Sequence, residues 1–144
     1  MSYTIRVTLV NPGAFQNVEK TVWHYANGGT WTEEPNGVFV LRMNGSGTSG
    51  TLRFKDSFSG EAFLAAFGVH NYKRWCDIIP DLAENDTGAD IHPTYYQSGK
   101  RDNMLWQQAA NIEKTDAKRV NRISIKYTVA EGNNLAATLT ILRL

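Results

Sequence analysis

The groups best equipped for chemistry gather in Phe67–Ile79, FGVHNYKRWCDII. This stretch carries an imidazole (His70), a carboxamide (Asn71), two cations (Lys73 and Arg74) and a carboxylate (Asp77). Phe63, Ala65, Phe67 and Val69 alternate with Leu64, Ala66 and Gly68, whereas Tyr72, Trp75, Cys76 and Ile79 fall at i, i+3, i+4 and i+7. The apolar period changes from 2 to 3.6, and the spacing predicts a strand-to-helix corner. Asn71 stands where an N-cap side chain accepts from the free amides of a first helical turn. Corners of this kind commonly hold binding groups.

Three catalytic or cofactor chemistries can be weighed on these residues. Ser46, His70 and Asp77 supply the groups of a hydrolytic triad, but no G-x-S-x-G nucleophile elbow accompanies them. The histidines His24, His70 and His92 lack metal-ligand spacing beside cysteine or carboxylate, so no metal is expected. For His70 the plain alternative is a buried ring with a satisfied hydrogen bond. Gly45–Gly50, GSGTSG, satisfies the GxGxxG fingerprint but opens the strand-like Thr51–Phe54 and not a helix, which excludes dinucleotide binding and leaves no cofactor expected. Either a backbone that a ligand can approach, with Ser46 and the amides as donors, or a plain flexible hairpin explains those glycines.

The elements around this corner are mostly short strands. Tyr3, Ile5, Val7 and Leu9 alternate with polar residues, and Val18–Tyr25 is a second β-like run with no clean apolar face. Ala26–Trp31, ANGGTW, reads as a turn. Val38–Met43 and Thr51–Phe54 read as strands, and the polar Gly/Ser link between them predicts antiparallel neighbours. Pro80 ends the expected helix. A short helix beginning at Pro93 and another over Asp102–Ile112 follow. Lys114–Arg122 is expected to be a solvated turn, and Ile123–Val129 with Ala137–Ile141 a terminal hairpin. The sum is one mainly β domain over residues 1–144, a sandwich with small helices at one end or edge.

With 15 basic and 14 acidic residues in 144, the net charge of +1 gives no basic surplus for phosphate, so nucleic acid is not an expected partner. Apolar residues make up 42%, enough for one sizeable core. The start of the sequence goes directly into alternation without a secretory pattern, and Cys76 is the only cysteine, so cytoplasmic residence is the default expectation. Cys76 reads as a small core filler. Of the aromatics, Trp31 and Trp106 fall in a loop and a polar helix and are the ones whose exposure matters most.

HYANGGTW (His24–Trp31), NGSGTSGTLRF (Asn44–Phe54), FGVHNYKRWCDI (Phe67–Ile78) and YTVAEGNNL (Tyr127–Leu135) closely resemble the fungal fruit-body lectins across essentially the whole chain. The resemblance implies a two-sheet β-sandwich with a helix-loop-helix connection, of a shape shared with actinoporins. It implies a non-enzymatic protein that binds galactosyl-β-1,3-N-acetylgalactosamine of mucin-type O-glycans, a homotetramer, and a cytoplasmic defence role. By motif the disaccharide site would use Ala26, Ser46, Gly47, His70 and Asn71. A second site, for N-acetylglucosamine, would use Asp77, Ile78, Ile79 and Arg101. There the family's threonine is replaced by Pro80 and its tyrosine by Ile112, so this site is expected to be weak, absent or altered. The competing expectation for the same shape is a membrane-active, pore-forming protein. That function needs an amphipathic N-terminal segment able to leave the fold, whereas this chain starts in a strand with polar residues on its second face, and no membrane insertion is expected.

Overall fold

The computed structural model describes residues 1–23 and 28–144, which form two stacked sheets with a helical insert. The strands are β1 (Tyr3–Val10), β2 (Phe15–Trp23), β3 (Gly29–Glu34), β4 (Val38–Met43), β5 (Thr48–Asp56), β6 (Ala62–His70), β7 (Lys73–Ile79), β8 (Asn111–Thr115), β9 (Asn121–Val129) and β10 (Asn134–Arg143). One sheet runs β3-β4-β1-β10-β9-β8 and the other β2-β5-β6-β7. The β1–β10 pair is parallel, with Ile5 opposite Leu135, and every other ladder is antiparallel. The expected mainly β sandwich and terminal hairpin are both present.

Strand β1 shows its place in the sandwich through simple alternation. Tyr3, Ile5 and Val7 are buried between the sheets, while Arg6 and Thr8 face solvent. Strands β6 and β7 differ because both of their faces meet protein. Phe63, Ala65, Phe67, Val69, Cys76 and Ile78 enter the core between the sheets. Leu64, Ala66 and Trp75 enter a second cluster on the outer face, beneath Ile91, Tyr95, Tyr96 and Leu105.

That double burial corrects the expected helix over Tyr72–Ile79. A strand covered on both sides loses its polar alternation, and its apolar positions happened to match a 3.6 period. Residues 73–79 are β7, with His70 paired to Lys73 across a two-residue turn. Asn71 is not an N-cap. It and Tyr72 sit at φ 50° and 67°, the positive values of a type I′ hairpin turn.

Other boundaries also move. Strands β4 and β5 are not neighbours: β4 lies between β3 and β1, and β5 between β2 and β6, so residues 44–47 carry the chain from one sheet to the other. Both edges of β4 are already filled, which excludes the expected hairpin. Gly29–Trp31 belong to β3 and not to a turn; Trp31 is half-buried, with its Nε1 donating to the Thr21 carbonyl at 3.0 Å. The helix expected over Asp102–Ile112 is only α2 (Asn103–Gln107), because Gln108 turns left-handed at φ 48° and Ile112 then pairs with Ile125 in β8. The link between β8 and β9 is not wholly solvated, since Asp116 and Asn121 are buried and hydrogen-bonded to each other at 2.9 Å.

The insert between β7 and β8 comprises α1 (Gly88–Ile91), a 3-10 turn at His92–Tyr95 and α2. The short helix expected to begin at Pro93 is a 3-10 turn that begins one residue earlier, with Pro93 in its first turn. Glu19 of β2 anchors its start by accepting from the Gly88 and Ala89 amides at 2.6 and 3.1 Å while pairing with Arg53 at 2.7 Å. His92 fixes its middle. Its Nδ1 is bonded to Thr21 Oγ1 at 2.8 Å and its Nε2 to Ser49 Oγ at 2.7 Å, and Ser49 Oγ also meets the Tyr96 hydroxyl at 2.6 Å.

Burial depresses the His92 pKa from 6.5 to about 4. The folded protein therefore holds the ring neutral while the unfolded chain takes up a proton first. This contribution is complete above pH 6.5 and is lost as pH falls toward 4, reaching about 3 kcal/mol at about 1.4 kcal/mol per tenfold. Urea denaturation should show His92→Gln less stable than wild type at pH 7, with the gap narrowing at pH 4. Parallel pH profiles for the two proteins would contradict this role.

Candidate functional site

Three connections meet at the end of the sandwich where β6 passes into β7. The Asn44 amide donates to the Gly28 carbonyl at 3.1 Å, bringing the β4–β5 link against the start of β3. The Gly47 amide donates to the Val69 carbonyl at 2.8 Å, and the Tyr72 amide donates to Ser46 Oγ at 3.0 Å. These bonds tie the link to the β6–β7 turn. Gly47 lies at φ 90°, which a side chain would oppose.

The structure thus brings Ser46, Gly47, His70 and Asn71 together. Asn71 is exposed, and the other three are half-buried. Ala26, expected with them, lies outside the described residues. The Ser46 hydroxyl keeps a donor hydrogen beyond the bond it accepts from Tyr72.

His70 departs from the satisfied-ring alternative. Its carbonyl accepts from Gln108 Nε2 at 2.8 Å, but its ring Nε2 is buried and has no hydrogen-bond partner among the described residues. Burial also lowers the pKa of the ring below its ordinary value, so the imidazole is neutral at pH 7. A neutral imidazole with one open nitrogen can pair with a hydroxyl. The rings of His70 and Trp106 meet in a T-shaped contact, with centroids 4.4 Å apart at 86°.

Beside this group lies a pocket of about 260 Å³ running from Gly47 and His70 to Trp106. Tyr95, Tyr96 and Leu105 are its buried part, and Gln97, Ser98 and Asp102 form its exposed rim. Two more cavities, of about 260 and 310 Å³, lie around Phe15 and Asn121 at the far ends of β2 and β9, away from the linked turns.

Asp77 is elsewhere. It faces Ala66 across the β6–β7 ladder, four residues along the strand from the His70–Lys73 pair, and accepts from the Tyr95 hydroxyl at 2.6 Å. Four strand residues span about 13 Å. Ser46, His70 and Asp77 are therefore not a triad. Burial raises the Asp77 pKa, opposed by the Tyr95 bond and by the charges of Lys114 and Arg101.

Around Asp77, the remaining expected residues divide between the faces of the sheet. Ile78 points into the inter-sheet core and Ile79 packs against the outer cluster, while Pro80 follows the strand half-buried. Arg101 donates to Thr94 Oγ1 at 2.9 Å. Ile112 packs against the inter-sheet core from β8. Cys76 is fully buried there too, its thiol pushed up to about 12 by burial, as suits a core filler.

A family model for the fungal fruit body lectins matches residues 1–139. This chain is a fungal fruit-body lectin. A lectin from Boletus edulis is 50% identical over 140 residues, covering 96% of each chain. The wild-type lectin of Xerocomus chrysenteron superposes with a TM-score of 0.93 at 47% identity, covering 99% of this chain and 100% of that one. A substituted form of the same lectin gives the same TM-score at 48% identity, with 99% of both chains covered. The lectin family makes this a carbohydrate-binding protein whose relatives are non-enzymatic.

Sequence reasoning singled out Trp106 for its exposure but missed its contact with His70. It also missed Tyr72 and Gln108, which brace the turn from either side.

Proposed function

We propose that this lectin binds galactosyl-β-1,3-N-acetylgalactosamine of mucin-type O-glycans at the linked turns, through Ala26, Ser46, Gly47, His70 and Asn71. The observation that carries the reading is the convergence of Ser46, Gly47, His70 and Asn71, held by the Gly47–Val69 and Tyr72–Ser46 bonds. It offers a hydroxyl, a carboxamide and an imidazole nitrogen unpaired among the described residues, on a braced backbone, which suits a ligand made of hydroxyls. Asn71 and Ser46 are assigned to the N-acetylgalactosamine, and His70 to the galactose. A site built to pair particular hydroxyls penalises sugars lacking them, because its polar groups are left unsatisfied.

The second site is proposed to be weak or altered. Pro80 offers no amide hydrogen, Ile112 is turned toward the core, and the Asp77 carboxylate is engaged by Tyr95. The charges of Lys114 and Arg101 still act on the buried Asp77 carboxylate.

Single sugar contacts are weak, and several sites on one particle raise avidity. We therefore propose, on the family resemblance, a homotetramer; light scattering that returned the mass of one chain would contradict it. Cytoplasmic residence and a defensive role against animals feeding on the mycelium are proposed on the same resemblance and on the single cysteine, with cell fractionation and a feeding assay as tests. No observation favours the pore-forming alternative. Strand β1 is paired on both sides, to β4 and β10, and among the described residues no helix is long and apolar enough to cross a membrane.

Calorimetric titration of wild type and Asn71→Gly with the disaccharide tests the principal reading. Glycine keeps the positive φ of the turn while removing the carboxamide, so the fold should hold and affinity should fall by about tenfold or more. Equal affinity would remove Asn71 from the site. N-acetylglucosamine injected next should give no micromolar binding, and a micromolar signal would overturn the proposal of a weakened second site.

A further inference from the structure

Trp106 is 65% exposed, whereas Trp75 is fully buried and Trp23 and Trp31 are half-buried. A large aromatic side chain left in solvent on a five-residue helix has no role in the core. Yet its position is well determined. Leu105 beside it is buried in the outer cluster, and Gln108, at the left-handed end of the helix, donates to the carbonyl of His70 at 2.8 Å. The indole is therefore registered to the imidazole, with the ring centroids 4.4 Å apart.

Both rings line the pocket of about 260 Å³, which shares Gly47 and His70 with the linked turns. A sugar reaching past His70 meets the Trp106 side of the pocket, with the Gln97 carboxamide, the Ser98 hydroxyl and the Asp102 carboxylate around its rim. Galactopyranose suits such a wall. Its axial 4-hydroxyl leaves the opposite ring face as an apolar patch of C–H groups, which can lie on an aromatic ring while the hydroxyls turn to polar partners.

Resting on the disaccharide reading above, we infer that the pocket lined by His70 and Trp106 is a galactose subsite in which Trp106 stacks on the apolar face of the ring. Trp106 then discriminates the disaccharide from free N-acetylgalactosamine, which occupies only the linked turns.

Titration of wild type, Trp106→Ala and Trp106→Phe with galactosyl-β-1,3-N-acetylgalactosamine and with N-acetylgalactosamine alone tests this. Loss of one stacking contact should weaken disaccharide binding about tenfold in the alanine variant. The phenylalanine variant should stay within about threefold of wild type, and all three should bind the monosaccharide alike. Wild-type tryptophan fluorescence should respond to the disaccharide and not to the monosaccharide. Denaturation midpoints matching wild type would show that the variants are folded. If the alanine variant bound the disaccharide as wild type does, or lost both ligands equally, the galactose subsite would be refuted while the disaccharide site stood. If wild type bound neither ligand, the disaccharide reading would fall and this inference with it.

Discussion

The β6–β7 half of the four-stranded sheet is buried on both faces, and much of the site's geometry follows from that constraint. Its inner face closes the inter-sheet core through Phe63, Phe67, Cys76 and Ile78. Its outer face carries Leu64, Ala66 and Trp75, which would be an apolar patch if left in water. The insert between β7 and β8 covers it with Ile91, Tyr95, Tyr96 and Leu105. Polar groups trapped beneath that cover must find partners, and the His92 bonds to Thr21 and Ser49 supply several of them. The same folding-over carries α2 to the end of β6, where Trp106 meets His70.

Against this firm support the candidate site is built from backbone turns. Gly47, Asn71 and Tyr72 all adopt positive φ, conformations that only surrounding structure maintains in non-glycine residues. The bonds between Ser46 and Tyr72 and between Gly47 and Val69 provide that support from across the two connections. Gln108 provides it from α2. In the proposed site, recognition and stability share their hydrogen bonds.

How much of this was legible in the sequence depended on how many faces of each strand meet water. β1 was read correctly because Arg6 and Thr8 keep its outer face polar. β7 was misread as a helix because Trp75, Cys76, Ile78 and Ile79 are apolar on both faces, and periodicity alone cannot separate such a strand from a buried helix. The Gly/Ser link after β4 reveals a turn but not which sheet receives the next strand; that is decided by β1 and β3 occupying both edges of β4. His70 and Asn71 were singled out through a corner assigned the wrong geometry, since their placement at the end of β6 survives either reading. The Trp106–His70 contact was hidden because it depends on the left-handed turn at Gln108, which no apolar pattern encodes.

The central claim is that sugar is held by the linked turns at one end of the sandwich. Following backbone amide resonances while adding galactosyl-β-1,3-N-acetylgalactosamine tests it most directly. The largest changes should fall on Ser46, Gly47, Asn71 and Tyr72, with Ser57–Gly60 at the other end of β5 unmoved. Changes concentrated instead around Phe15 and Asn121, beside the two distant cavities, would contradict it.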